Sequence, residues 1–244
     1  MNLIIDIGNS RAKVVVMEVD TLIKEYVVEE FSASLFEEIL VAYPAISRAI
    51  IASTRGDEEQ TKAIVAERIG KVVVFKPATT PIPLANHYHT PETLGADRLA
   101  AAVGAQAMYP DSDIMIVDFG TAITIDFVEE GAFKGGNISP GVTTRFRALA
   151  DYTARLPRCY ATEEILGYGR TTKEAIEQGV MRGVEHEIRG YVEAYMQKNE
   201  EKCIIFTGGD AKYFVKRIKN TIFADCEPVI FGLNRILNYN AEKI

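Results

Sequence analysis

The stretch LIIDIGNSRAKVVVM, residues 3–17, carries the pattern that decides the fold. Three aliphatic residues lead to Asp6, then Gly8 and two small polar residues interrupt, and a second apolar run follows. Short apolar runs on either side of a glycine-containing turn are typical of two adjacent β-strands. The pattern therefore predicts a β-hairpin with a carboxylate at the end of its first strand.

A second copy of this pattern lies 112 residues further along the chain. The stretch MIVDFGTAITIDFVE, residues 115–129, aligns with residues 3–17 without a gap, so that Asp118 corresponds to Asp6. Each copy begins a similar series of strand and helix patterns, and such a repeat indicates two related halves. We therefore predict an α/β protein with one half over residues 1–110 and the other over 111–244.

The periodicity of the apolar residues predicts the elements of each half. In the first half we expect strands at 2–7, 13–19, 23–29, 49–54 and 71–75 and helices at 33–43, 57–69 and 94–108. In the second half we expect strands at 113–118, 122–129, 132–137 and 203–206 and helices at 142–150, 172–197, 210–218 and 228–239.

The composition narrows the class of protein. Of the 244 residues, 48% are hydrophobic and 25% are charged, and the net charge is −7. An acidic chain without a basic run is not expected to bind nucleic acid, which requires clustered positive charge. We also expect no membrane span, because no apolar stretch reaches about 18 residues. The three cysteines have no CxxC spacing, and the sequence has no signal-peptide pattern. These two observations together predict a cytoplasmic protein.

The two glycine turns have a composition suited to binding phosphate. Gly and Asn tolerate positive φ, and the backbone N–H groups of such a turn can surround phosphate oxygens. Asp6 and Asp118 would repel phosphate and are expected to hold a cation or a metal-bound water instead. Lys13 would add a positive charge. A simple hairpin turn is the alternative for either copy, and the presence of two copies favours a pair of phosphate turns.

Other nucleotide and metal patterns are weaker or absent. The pair Gly208–Gly209, after the predicted strand at 203–206, would let backbone approach adenine or ribose. The sequence has no GxxxxGK[ST], and GYGRTT at 167–172 lacks the third glycine of GxGxxG. Three scattered histidines give no zinc set. The two glycine turns therefore remain the best candidates for a nucleotide site.

A possible acceptor site follows in NHYHTPETLGADRLAAAVGAQAM, residues 86–108. Asp97 begins a predicted helix, whose dipole favours an ionised carboxylate, and such a group can orient an attacking hydroxyl. Arg98 can hold a substrate carboxylate with two hydrogen bonds. The alternatives are helix capping with a surface ion pair for Asp97 and Arg98, and simple packing for Tyr88. For Thr172, at the start of a long predicted helix, the default role is that of an N-cap.

These motifs, in this order, resemble those of the type III pantothenate kinase family of the acetate and sugar kinase/Hsp70/actin superfamily. The resemblance extends over nearly the whole chain. DIGNSRAK is similar to the first phosphate motif, with Ser10 where the family commonly has Thr, and VDFGTAITID is similar to the second. NHYHTPETLGADR resembles the acceptor motif, GGNISPG the loop after the second phosphate motif, and TTKEAIEQG a helix entry that supplies a threonine.

The resemblance implies two ribonuclease-H-like halves with an ATP cleft between them, assembled as a homodimer. It implies transfer of the γ-phosphoryl group of ATP to the primary hydroxyl of pantothenate, giving 4'-phosphopantothenate in the first step of coenzyme A biosynthesis. The family characteristically needs Mg²⁺ together with a monovalent cation, K⁺ or NH₄⁺.

The resemblance also implies roles for individual residues. Asp97 matches the catalytic base and Asp118 the ligand of the monovalent cation. The positions that match pantothenate contacts are Tyr88, Gly95, Ala96, Asp97, Arg98 and Thr172, although Thr171 stays possible for the last. The positions that match ATP phosphate contacts are Asp6, Ile7, Gly8, Asn9, Ser10, Arg11, Ala12, Lys13 and Thr121.

Two other functions stay open at this point. Some proteins of the family are described as accessory factors for transcription, so the chain could be a nucleotide-responsive regulator. The Asp97–Arg98 pair and the acidic charge disfavour that interpretation. A superfamily kinase for another hydroxy acid is the second alternative, because Arg98 suits any carboxylate.

Overall fold

The computed structural model describes residues 1–197, 202–219, 221–223 and 227–241. It contains two compact units. The first consists of Met1–Asp111, Gly131–Lys134 and the described part of 226–244. The second consists of Ser112–Glu130 and the described part of 135–225. The chain passes from the first unit to the second after Asp111, and the described part of its last segment belongs to the first unit, which was not expected.

The described elements have the following bounds in chain order. The strands are β1 (Asn2–Ile7), β2 (Ala12–Glu18), β3 (Thr21–Val28), β4 (Arg48–Ser53), β5 (Lys71–Val74), β6 (Ala85–Asn86), β7 (Asp113–Phe119), β8 (Ala122–Glu129), β9 (Ala132–Pro140), β10 (Lys202–Thr207) and β11 (Ile222–Phe223). The helices are α1 (Ala33–Ala42), α2 (Glu58–Ala66), α3 (Ala96–Met108), α4 (Val142–Asp151), α5 (Thr172–Met196) and α6 (Pro228–Ala241).

The sheet of the first unit has the strand order β3-β2-β1-β4-β5. β1 pairs antiparallel with β2 and parallel with β4. β1 and β4 are rich in isoleucine and are buried over most of their length, as expected for central strands covered on both faces. Apolar side chains of α1 and α2 pack against these strands, among them Phe36, Ile39 and Val65.

The second sheet contains the same order, β11-β10-β7-β8-β9, with β6 added beside β9. β7 pairs antiparallel with β8 and parallel with β10. Its core includes Phe119, which stacks on Phe214 with 5.0 Å between the ring centroids, and Val184 and Ile188 of α5. The shared strand order confirms the predicted α/β fold with two related halves.

The two copies differ by one residue in their turns. In the first copy Ile7 pairs with Ala12, which leaves the four residues 8–11 in the turn. In the second copy Phe119 pairs with Ile123, which leaves three residues. The ungapped alignment is therefore correct for the first strand of each hairpin and wrong by one residue in the second.

Several predicted elements need correction. The helix expected at 210–218 is a short 3-10 helix over Ala211–Tyr213, followed by turns. The two-residue strands β6 and β11 were not predicted, because two residues are too few to show a period. β9 extends to Pro140, so Ser139 and Pro140 belong to a strand and not to the loop that the resemblance implied for GGNISPG.

The largest correction concerns α6, which was expected in the second half and packs against α3 of the first unit. Glycines allow the two helix backbones to touch. A Cβ atom on Gly104 would overlap the carbonyl oxygen of Pro228, and one on Gly232 would overlap the carbonyl oxygen of Ala100. This contact joins parts of the chain that are more than a hundred residues apart, and no local pattern reports it.

Buried asparagines attach α6 to the sheet of the first unit. Asn2 on β1 donates through Nδ2 to Oδ1 of Asn234, 2.7 Å away, and to Oδ1 of Asn238, 2.9 Å away. Asn234 in turn donates to the carbonyl oxygen of Val19 at 2.7 Å. Asn2 and Asn234 are buried, and these hydrogen bonds compensate for the loss of water at the N–H groups of both amides, whereas Oδ1 of Asn2 has no hydrogen-bond partner among the described residues.

Candidate functional site

The first glycine turn connects β1 to β2 and is exposed at its tip. Asp6 lies opposite Lys13 in the hairpin register, and the N–H of Gly8 donates to the carbonyl oxygen of Arg11 at 3.0 Å. Neither Gly8 nor Asn9 has a positive φ, so the expected conformational reason for these residues is wrong. A Cβ atom on Gly8 would lie 3.4 Å from the Arg11 oxygen, an ordinary contact. Neither backbone conformation nor packing within the unit therefore requires glycine at position 8.

Lys13 has a partner that the sequence did not predict. Its Nζ forms an ion pair with Oε1 of Glu227, the residue before α6. Both side chains are about one-third exposed, at 34% and 30%. Lys13 therefore lies beside the turn as expected, with its charge already balanced by a carboxylate.

The loop after β4 lies against the same turn. β1 and β4 are parallel neighbours with Ile7 paired to Ser53, so both strands end at the same edge of the sheet. The backbone N–H of Thr54 donates to the carbonyl oxygen of Ile7 at 2.9 Å, and Nε of Arg55 donates to that of Gly8 at 2.7 Å. Sequence reasoning missed Arg55. The signal that would have identified Arg55 is its position two residues after the end of β4, which runs parallel to β1.

The acceptor segment brings its candidate residues together at the start of α3. Gly95 is the N-cap and makes no side-chain capping bond. Oδ1 of Asp97 accepts a hydrogen bond from the backbone N–H of Arg98 at 2.8 Å. A Cβ atom on Gly95 would lie only 2.5 Å from that oxygen, so a side chain here would displace the half-buried carboxylate that folds back over the helix start.

Arg98 and Tyr88 form the other part of this group. Arg98 is buried, and its Cζ lies 5.7 Å from the centroid of the Tyr88 ring, a cation–π geometry. The Tyr88 ring also packs against Phe133 at 6.1 Å. Asp97 makes no ion pair within the described residues, so the alternative of a surface ion pair with Arg98 is wrong. The capping alternative is correct in part, because Asp97 accepts an N–H of the first turn.

The remaining predicted acceptor residue of the first unit is Ala96, the first residue of α3, which is buried. Its side chain is a methyl group, so only its backbone could contact a substrate. The exposed His87 and His89 flank Tyr88 and do not join the group around Asp97.

The second glycine turn is held by its own unit. Asp118 is half-buried near the end of β7, and Thr121 is exposed in the turn. The carbonyl oxygen of Thr121 accepts hydrogen bonds from the N–H of Gly141 at 3.0 Å and from Oγ1 of Thr144 at 2.7 Å. Sequence reasoning did not single out Thr144, whose role depends on how α4 meets the turn.

The glycine pair after β10 has two different roles. Gly208 has a φ of +90°, and a Cβ atom there would overlap Oδ1 of Asp118 and lie 2.6 Å from the backbone nitrogen of Phe119. This glycine is required by the packing of β10 against β7. Among the described residues, no heavy atom lies within 4 Å of a Cβ atom built on Gly209. Of the two glycines, only Gly209 therefore leaves the open space that was expected for a ligand.

The structure corrects the role of the two threonines at the start of α5. Thr171 is the N-cap, and its side chain accepts a hydrogen bond from the N–H of Glu174 at 3.2 Å. Glu174 accepts from the N–H of Arg170, which lowers the pKa of the Glu174 carboxyl. Thr172 is the first helical residue and is exposed. Its hydroxyl is not used for capping, which keeps Thr172 as the candidate for a substrate contact.

The described residues contain no group of three His, Cys, Asp or Glu side chains that could hold a metal ion. They also contain no helix long and apolar enough to cross a membrane. Cys203 is buried, and burial raises the pKa of its thiol to about 11. A cavity of about 580 Å³ lies between α3 and α6, and none of its lining residues is a predicted site residue.

Comparison with known proteins identifies the family. The sequence model of the family described as type III pantothenate kinase matches residues 2–194. A type III pantothenate kinase of Phocaeicola vulgatus is 43% identical over 242 residues, which cover 98% of this chain and 99% of the relative. One from Bacteroides fragilis is 41% identical over the whole of both chains.

Solved structures with low sequence identity share the fold. A Campylobacter jejuni protein assigned to the Baf family of transcriptional activators has a TM-score of 0.64 at 22% identity and covers 98% of this chain and 99% of its own. The Clostridium difficile activator of 2-hydroxyisocaproyl-CoA dehydratase, solved with bound ADPNP, has a TM-score of 0.55 at 11% identity, with 100% and 97% covered. Because the family model matches residues 2–194 and the two relatives match over nearly their full length, this chain belongs to the type III pantothenate kinase family.

Proposed function

We propose that this protein is an ATP-dependent pantothenate kinase that transfers the γ-phosphoryl group of ATP to the primary hydroxyl of pantothenate. The product is 4'-phosphopantothenate, and the reaction is the first step of coenzyme A biosynthesis. The observation that carries the proposal is the group formed by Tyr88, Gly95, Asp97 and Arg98 in a chain that belongs to this family.

Asp97 is the catalytic base in this proposal. Its Oδ1 is occupied by the N–H of Arg98, while Oδ2 makes no hydrogen bond within the described residues and can accept one from the substrate hydroxyl. A carboxylate is a weak base in water, but phosphoryl transfer depends mainly on holding the attacking oxygen in line. The start of α3 also favours the ionised carboxylate through the partial positive charge of the helix N-terminus.

The neighbouring residues bind pantothenate in this proposal. Arg98 recognises its carboxylate, and the contact with the Tyr88 ring restricts the guanidinium to one region. Gly95 and Ala96 contribute backbone groups, and Thr172 contributes its exposed hydroxyl.

ATP phosphates bind at the first glycine turn, residues 6–13. Since neither φ nor internal packing requires glycine at position 8, the missing side chain keeps room for a ligand over the turn. In the second unit, Thr121 is a further phosphate contact.

Two cations accompany ATP in this proposal. The donor chemistry fits Mg²⁺, which is usually held by one or two carboxylates together with substrate phosphates and water, so Asp6 could bind it without a dedicated protein cage. The half-buried carboxylate of Asp118 is the proposed ligand of K⁺ or NH₄⁺, in a turn that also offers backbone carbonyl oxygens. The cations neutralise phosphate charge, and Asp118 holds its cation beside the second turn.

A substrate panel tests the proposal. ATP consumption is measured by a coupled assay in potassium buffer with pantothenate and with other small hydroxy acids, and the product is identified by its mass. We expect turnover with pantothenate to exceed that with every other acid by a wide margin. No phosphorylation of any acid, or a clear preference for another acid, would contradict the proposal.

The oligomeric state is a separate part of the proposal. We expect a homodimer with a mass in solution of about twice the 27.0 kDa of one chain. Light scattering coupled to size exclusion measures this mass, and a monomer at micromolar concentration would contradict it. The expected cytoplasmic location stays a prediction.

A further inference from the structure

We propose that Arg55 is a further ATP-binding residue, whose guanidinium contacts phosphate oxygens at the first glycine turn. This inference rests on the proposed kinase function and deepens it. Arg55 lies outside the motifs that resemble the family, and none of the residue roles discussed above includes it.

The strand order places Arg55 at the turn. β1 and β4 are parallel neighbours, and ligands of open α/β sheets bind outside the carboxyl ends of such strands. Residues 8–11 follow one strand end and residues 54–57 follow the other. The hydrogen bond from Nε of Arg55 to the carbonyl oxygen of Gly8, at 2.7 Å, joins the two segments directly.

The loop that carries Arg55 is held in a defined conformation. Oγ of Ser53 accepts a hydrogen bond from the backbone N–H of Arg55 at 2.9 Å and donates to Oδ1 of Asp57 at 2.5 Å. Gly56 has a φ of +79°, a conformation that a side chain would strain. The backbone of Arg55 is therefore positioned before any ligand binds.

The electrostatics favour a phosphate at this guanidinium. A carbonyl oxygen carries partial negative charge and would repel a phosphate close to it. The hydrogen bond from Arg55 places the positively charged guanidinium beside the oxygen of Gly8 and offsets that repulsion. A guanidinium has five N–H donors, and this contact uses the one on Nε. Arg55 has no carboxylate partner in the described part of the chain, whereas Lys13 is paired with Glu227.

The loop after β10, which is within the described residues, carries no equivalent cation. β10 occupies the place of β4 in the second sheet, and TGGD at 207–210 follows it where STRGD at 53–57 follows β4. Residues 208–210 are two glycines and an aspartate, so this loop places no guanidinium at the end of β10. Within the described residues, the two glycine turns are therefore supported differently.

Kinetics of two variants test the proposal. In Arg55→Gln we expect KM for ATP to rise about 10- to 100-fold, the range for loss of a hydrogen bond to a charged group. KM for pantothenate and the melting temperature should stay close to the wild type. Arg55→Lys keeps the charge and loses the fork geometry, so its effect should be smaller. Arg68→Gln is the matched control, because Arg68 is an exposed arginine of the same unit that pairs with Glu37.

Direct binding separates this inference from the proposed function. Calorimetric titration with ATP and with adenosine should show that Arg55→Gln weakens ATP binding and leaves adenosine binding unchanged. A wild type that binds ATP without phosphorylating pantothenate would overturn the proposed function, and the binding comparison would still decide the role of Arg55. Wild-type affinity for ATP in Arg55→Gln would overturn the inference, as would an equal loss for ATP and adenosine. If Arg55→Gln does not fold, wild-type ATP affinity and KM in Arg55→Lys would overturn it.

Discussion

The glycine contact between α3 and α6 predicts opposite effects for two identical substitutions. In Gly232→Ala, the new Cβ atom would overlap the carbonyl oxygen of Ala100 and lie 2.9 Å from the nitrogen of Gly104. Both neighbours are backbone atoms, so the helices must move apart. Overpacking of this kind costs about 1–3 kcal/mol, and the upper end applies because nothing flexible can give way. Alanine recovers about 1 kcal/mol of helix propensity, which leaves a net loss of about 2 kcal/mol in the free energy of unfolding.

Gly190→Ala is the matched control. Gly190 is exposed within α5, and no heavy atom among the described residues lies within 4 Å of its Cβ position, so only the helix propensity changes. We expect this variant to gain up to about 1 kcal/mol.

Native-state hydrogen exchange measures both effects, because a chain with two compact units need not unfold in one step. Gly232→Ala should accelerate exchange in β1 and α3 and leave α5 close to wild type. Equal protection of α3 in the variant and the wild type would refute the tight contact of the two helices.

Four further predictions concern the site and the core. Asp97→Asn should lower kcat by about 100-fold or more with an unchanged melting temperature, because the hydroxyl loses a charged acceptor; near-normal turnover would remove Asp97 from its role. Gly8→Ala should raise KM for ATP and hardly change the melting temperature, since its Cβ meets only an ordinary contact at 3.4 Å; a large loss of stability would show that the turn itself needs glycine. Activity in sodium buffer should lie far below that in potassium buffer, and Asp118→Asn should abolish the difference; equal wild-type rates in both salts would contradict the cation role. Burial raises the pKa of the Cys203 thiol from 9.0 to about 11, so the thiol of the unfolded chain ionises first as the pH rises. The free energy of unfolding should therefore decline between about pH 9 and pH 11, and this decline should be smaller in Cys203→Ala. Denaturation curves that give the same change with pH for wild type and Cys203→Ala would contradict this prediction.

The sequence predicted those features that local patterns encode. Apolar runs and turn residues marked β1, β2, β7 and β8, and their repetition indicated two related sheets. The group around Asp97 was also predictable, because Gly95, Asp97 and Arg98 are close in sequence and the chain between them is a single helix start.

Contacts between distant parts of the chain were not predictable. The amphipathic pattern of α6 shows that one face is buried, but it does not show which sheet it covers. Lys13 and Glu227 are separated by 214 residues, so their ion pair depends on that same packing. Thr171 and Thr172 have equal capping propensity, and the helix register decided between them.

Closure of the first unit by α6 has a consequence for synthesis of the chain. Proteins leave the ribosome from the N-terminus, so β1 to β5 emerge early, while α6, which covers α3, emerges after the strands of the second unit. Asn2 meets Asn234 only after 232 further residues have been made. The unit that contains Asp97 is therefore the last to be completed, and a message truncated before residue 228 should yield a protein whose earliest-made strands lack their final helix.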